Sequence, residues 1–116
     1  MQKEVEMARV FICHEFTKVR NRIGEIIKKE RPRYKVIGEA FGINGALDKI
    51  ERLAEKPEIV IIHCPRPFSN EILDIIYICP GVKLLDAPEV VFNDLEPSFD
   101  EKAFRKLFRS VVFSQQ

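Results

Sequence analysis

The sequence predicts a three-layer α/β domain with a mostly parallel sheet. Two observations carry this. Short apolar runs alternate four times with segments whose apolar residues recur at helical spacing. The densest run, Ile59-Val60-Ile61-Ile62, is β-branched throughout and framed by Pro57 and Pro65. Such a run reads as a strand covered on both faces, which places it inside a parallel sheet. A chain of 116 residues accommodates this as one domain, 1–116, large enough to bury a core.

In chain order, Ala8 to Cys13 is the first strand. His14 to Phe16 form a loop, with Thr17 placed to cap a helix carrying Val19, Ile23, Ile26 and Ile27. That helix should end before Pro32. Tyr34 to Ala40 is the second strand, and Gly42 and Gly45 mark a turn. Ala46, Leu47, Ile50 and Leu53 give a second amphipathic helix, stopped at Pro57. The third strand runs to His63. Ser69 should cap a helix with Ile72, Leu73, Ile75 and Ile76, closed by Pro80-Gly81. Val82 to Leu85 is a fourth strand ending at Asp86.

The alternation then breaks. Val90-Val91-Phe92 reads as a fifth strand, Asn93 to Ser98 as a loop and Phe99 to Phe113 as the last helix. No helix fits between the fourth and fifth strands, so the two cannot be parallel neighbours; the fifth is antiparallel or the segment irregular. Right-handed crossovers give a doubly wound sheet, and a flavodoxin-like order 2-1-3-4-5 is expected, with the fourth helix missing or very short. Ligands of such sheets sit at the carboxyl ends of the strands. There the order brings His14, Glu15, His63 and Asp86 together.

Composition excludes several functions. Nineteen basic against eighteen acidic side chains leave a net charge of +1, which gives no bulk attraction for nucleic acid. Cys13, Cys64 and Cys79 form no paired framework and no zinc spacing, as in a reducing compartment. No apolar run approaches a membrane span, and Met1-Gln2-Lys3-Glu4 opens no signal peptide. A cytoplasmic location is expected.

Several stretches together resemble the receiver domain of two-component response regulators. His14-Glu15-Phe16-Thr17-Lys18-Val19-Arg20 is similar to that family's acidic pair and first helix. Val36-Ile37-Gly38-Glu39-Ala40, followed by Ala46-Leu47, resembles its second strand and helix. Lys56-Pro57-Glu58-Ile59-Val60-Ile61-Ile62 resembles the approach to the phosphoacceptor aspartate, with Pro67 where the family has a proline. Pro80 to Ala87 resembles the fourth strand, and Leu95-Glu96-Pro97 the Lys-Pro before the last helix. The resemblance spans nearly the whole chain and implies the same fold.

It also implies that the chemistry is gone. The phosphoacceptor position is His63, the acidic pair is His14 and Glu15, the hydroxyl position is Asp86 and the lysine position is Glu96. A histidine forms no acyl phosphate. One carboxylate fewer weakens a Mg²⁺ site, and Asp86 and Glu96 put negative charge where a phosphoryl group would sit. The implied molecule is a degenerate pseudo-receiver, not an enzyme, without a cofactor, acting in signalling through protein partners. A homodimer formed through the last helix is expected. Membrane contact and direct nucleic-acid binding are not expected.

Other readings compete. His14, His63 and a carboxylate, Glu15 or Asp86, suit a divalent metal; a retired site whose residues hydrogen-bond one another is the preferred account. Cys13 and Cys64 at neighbouring strand ends could pair by oxidation; two small buried residues are the preferred account. The basic residues Lys18, Arg20, Arg22, Lys28, Lys29, Arg31, Arg33 and Lys35 read first as a solvated face. The last helix has an apolar stripe wider than one sheet face needs, so Phe104, Phe108, Val111 and Phe113 are expected to form an interface; the alternative is that the helix covers the chain's own sheet. A regulatory domain of a transcription factor is a further possibility that the residues do not separate from the first.

Overall fold

The structure is a computed structural model that describes residues 7–30 and 33–113, the last by its backbone alone. Arg31, Pro32, the Phe113 side chain, Met1-Gln2-Lys3-Glu4 and Ser114-Gln115-Gln116 lie outside the described residues.

The fold is α/β. Strands β1 (Ala8–Cys13), β2 (Tyr34–Ala40), β3 (Ile59–Ile61) and β4 (Lys83–Leu85) form one parallel sheet in the order β2-β1-β3-β4. Helices α1 (Thr17–Lys28), α2 (Ile43–Arg52) and α3 (Asn70–Ile78) alternate with them, and α4 (Glu101–Phe113) closes the described chain. This order is compatible with a flavodoxin-like arrangement.

The alternation of side chains along the strands explains the three layers. Val10, Ile12, Ile59, Ile61 and Leu85 face α1 and α4; Phe11, Cys13, Val60 and Ile62 face α2 and α3. Both sets are buried, so β1 and β3 read as unbroken apolar runs rather than alternating ones. At Gly38 the packing leaves no room for a side chain. A Cβ there would stand 2.7 Å from the Phe11 ring.

The polar lead-in to β3 fastens it at both sides. Lys56 Nζ donates to the carbonyls of Ile50, Glu51 and Leu53 at 2.8 Å each, satisfying the end of α2. Glu58 Oε2 accepts the Arg9 N–H at 2.9 Å, and Arg9 Nε donates to the Lys56 carbonyl at 2.8 Å. Ser69 caps α3 as expected, its Oγ accepting the Ile72 N–H at 3.3 Å. Thr17 is no cap: it is the first helical residue, after Phe16, and its hydroxyl accepts from Arg20 at 3.0 Å. Gly45 lies inside α2 rather than in a turn, because Gly42 alone provides the extended entry to the helix.

Two further expectations are overturned. The sheet has no fifth strand. β5 (Val91–Asn93) pairs antiparallel with β6 (Glu96–Ser98), a segment expected to be a loop, in a separate hairpin. Asp94 (φ 50°) and Leu95 (φ 69°) form its tip, both in the left-handed region that a tight two-residue hairpin turn requires. The interface expected on the last helix also fails for its central residues. Phe104 and Phe108 are 3% and 1% exposed and pack with Phe99 and Tyr34 in this chain's own core, with Val111 partly buried against it. The wide apolar stripe thus covers the sheet. Two Arg–Glu forks fix α4 on that face: Arg22 of α1 to Glu101 at 2.7 Å twice, and Arg109 to Glu30, just beyond the end of α1, at 3.0 Å twice.

Candidate functional site

At the carboxyl ends of the four parallel strands lies an open cleft of about 780 Å³. Each strand exit supplies a part of its wall. β1 contributes Cys13, His14, Glu15 and Phe16; β2 leads into Phe41, Gly42 and Ile43; β3 leads into Ile62 and His63; and β4 leads into Ala87 to Val90, with Phe92 from the hairpin. Of the residues expected to meet here, His14, Glu15 and His63 do. Asp86 and Glu96 do not line the cleft.

Asp86 works as a tie. Its Oδ1 accepts the Cys64 N–H at 2.9 Å, which locks the exit of β3 to the exit of β4. The same oxygen stands 3.8 Å from His63 Nδ1, too far for a hydrogen bond. Glu96 sits on β6, where it pairs with Lys18 of α1 and anchors the hairpin over the start of that helix.

The two histidines differ in their freedom. His14 donates its backbone N–H to the Ala40 carbonyl at 2.9 Å, and its Nδ1 accepts the Phe16 N–H at 3.1 Å. Burial holds its pKa below the ordinary value; the Pro88 carbonyl and Glu15 oppose that shift and Arg20 adds to it. With Nδ1 occupied, His14 is fixed in place. The His63 side chain is 81% exposed and has no hydrogen-bond partner among the described residues.

The thiols are quiet. Burial pushes Cys13 up to about 11 against the pull of Arg20, and burial together with Asp86 pushes Cys64 up to about 11. Neither is a thiolate near neutral pH. Cys13, Cys64 and Cys79 are all free and buried, which fits small core residues better than a redox pair. Among the described residues no group of three or more His, Cys, Asp and Glu side chains is placed to hold a metal ion.

The cleft lining contains no lysine or arginine. Arg20 and Lys18, close by, are held in pairs. Arg20 donates to Glu39 at 3.1 Å and to the His14 carbonyl at 2.6 Å, and Lys18 holds Glu96. Basic side chains of the expected solvated face gather away from this site: Lys28, Lys29, Arg33 and Lys35 line a separate concavity of about 720 Å³ around the end of α1 and the start of β2. The aromatic and acidic walls Phe41, Glu89 and Phe92 escaped the reading of the sequence. Their signal was an aromatic residue set directly before the Gly42 turn and a Pro-Glu pair directly after a strand.

The chain matches no protein-family model and no curated protein. Among the described residues no helix is long and apolar enough to cross a membrane.

Proposed function

We propose that this domain is a receiver-like regulatory module that works without phosphorylation and signals by contact with a protein partner. One observation carries the reading: the residue emerging from β3, where the resemblance puts a phosphoacceptor, is an outward-facing histidine in a cleft that has no lysine or arginine to receive a phosphoryl group. The other positions of that chemistry have acquired mechanical duties. Asp86 ties two strand exits together and Glu96 anchors the hairpin. A scaffold retained without its reaction is suited to presenting surface. The exposed apolar surface of this molecule includes Val91, Phe92 and Leu95 on the hairpin and Phe41 across the cleft, which makes this end the expected contact surface in place of the apolar face of α4.

Incubation with acetyl phosphate and Mg²⁺, or with beryllofluoride, tests the reading. No change in intact mass and no shift of the amide spectrum are expected. Stoichiometric phosphoryl uptake on any side chain would overturn it. Sedimentation over a range of protein concentration then reads whether the partner is a second copy of the chain.

A further inference from the structure

We infer that the cleft at the strand exits is a binding site for a small organic cation, an ammonium or guanidinium group carried on an apolar stem. Its volume of about 780 Å³ falls within the range of small-molecule pockets. Its walls combine two features that select this chemistry. Three phenyl rings, Phe16, Phe41 and Phe92, line it, and an aromatic face attracts a cation through the ring's negative quadrupole. Two carboxylates, Glu15 and Glu89, line it as well, one from the β1 exit and one from the segment after β4.

Neither carboxylate is in a salt bridge among the described residues. An anion entering the cleft would meet both without a compensating lysine or arginine. A cation meets two free acceptors and three ring walls. Phe41 is 75% exposed at the mouth, an unfavourable placement for so large an apolar side chain that a ligand stem would relieve. Phe16 and Phe92 touch edge to face at 5.5 Å, so a molecule against Phe16 bears on the hairpin through Phe92, and one against Phe92 bears on it directly. The ligand's role as the signal rests on the regulatory reading; its binding does not.

The probes are agmatine and choline, titrated into the 116-residue protein and followed by amide chemical shifts, with butyrate and inorganic phosphate as anionic controls. Saturable shifts are expected at Gly42, His63, Glu89 and Phe92 with the cations alone. The double variant Glu15→Gln/Glu89→Gln should weaken the affinity by about tenfold, and Phe41→Ala by several-fold, each with an otherwise unchanged spectrum. All three positions are on the surface of the cleft, so the fold should survive. The inference is overturned if no cation gives a saturable shift, if phosphate shifts the same amides as strongly, or if the double variant binds as tightly as the parent. Phosphoryl uptake from acetyl phosphate would remove the regulatory reading and leave the cation result standing. A failed cation titration would remove the ligand and leave the module.

Discussion

β3 and β5 are both three-residue strands, Ile-Val-Ile and Val-Phe-Asn, yet they occupy opposite extremes of the molecule. Every residue of β3 is buried, between β1 and β4 in the sheet and between helices above and below. Every residue of β5 is exposed, with a single partner strand. Both reach the same cleft, β3 through Ile62 and His63, the hairpin through Phe92. The site therefore has one wall set by the core and another hung on a hairpin whose main fastenings are Lys18–Glu96 and the Phe16–Phe92 contact. A rigid wall fixes position and a loosely held one can respond to what binds.

The largest expected effect breaks this comparison from the rigid side. Ile61→Ala deletes a fully buried side chain from the α1–α4 core and should cost about 2–5 kcal/mol in urea unfolding. Phe92→Ala removes a larger side chain but should cost less than about 1 kcal/mol, because that ring is already more than half exposed. Similar losses for the two variants would show that the hairpin is part of the cooperative core.

The contrast also explains what was legible in the sequence. β1, β2, β3 and the helices between them are dictated by apolar periodicity, and the structure follows it closely because each run is buried on the face its pattern exposes to a neighbour. The hairpin carries no such pattern. Its tip, Asp94-Leu95, lacks the glycine that usually announces a tight turn, so Glu96 to Ser98 read as loop. Pro97 further masked the strand; it is tolerated because it stands opposite Phe92, between the bonded pairs of the ladder, where no N–H is required. The aromatic stripe of α4 was visible, but its destination was not. Periodicity reports that a face is apolar, while only the fold shows that Tyr34 and Phe108 meet edge to face at 4.8 Å in this chain's own core. In the cleft, His14, Glu15 and His63 were found because they follow strands directly; Asp86 was misplaced because a carboxylate at a strand end can turn inward to a backbone N–H.

A middle-sized effect sharpens the comparison from the hairpin side. Leu95 is 93% exposed and holds φ at 69°, a conformation that costs a side-chain-bearing residue about 1–2 kcal/mol. Leu95→Gly removes that strain and yields the Asp-Gly pair that such turns favour. Part of the gain is offset by the extra freedom of glycine in the unfolded chain, leaving about 0.5–1 kcal/mol. It should appear as slower hydrogen exchange at Asn93 and Glu96, with the β3 amides unchanged. Slower exchange throughout β3 would mean that the two regions open together.

The smallest effect acts at the joint between the regions. His14 ends β1, accepts the Phe16 N–H and lies beside the Pro88 carbonyl of the segment that leads to the hairpin. Burial lowers its pKa from 6.5. Below 6.5 the unfolded chain therefore takes up a proton that the folded chain refuses, and stability falls as pH drops through that value, levelling off beneath the lowered folded pKa. Above 6.5 the imidazole is neutral in both states and contributes no slope. Glu15 and Arg20 act on the same ring with opposite sign, which keeps the change small. The urea midpoint should decline modestly from pH ~7.5 to ~5.5, and His14→Asn, whose amide oxygen can still accept the Phe16 N–H without titrating, should flatten that decline. Protonation removes the Phe16 bond but favours the contact with the Pro88 carbonyl, so the accompanying rise in hydrogen exchange belongs at Phe16 and, through its ring contact with Phe92, in the hairpin. An equal rise in β3, or an unaltered slope in His14→Asn, would show that His14 does not join the hairpin wall to the core wall.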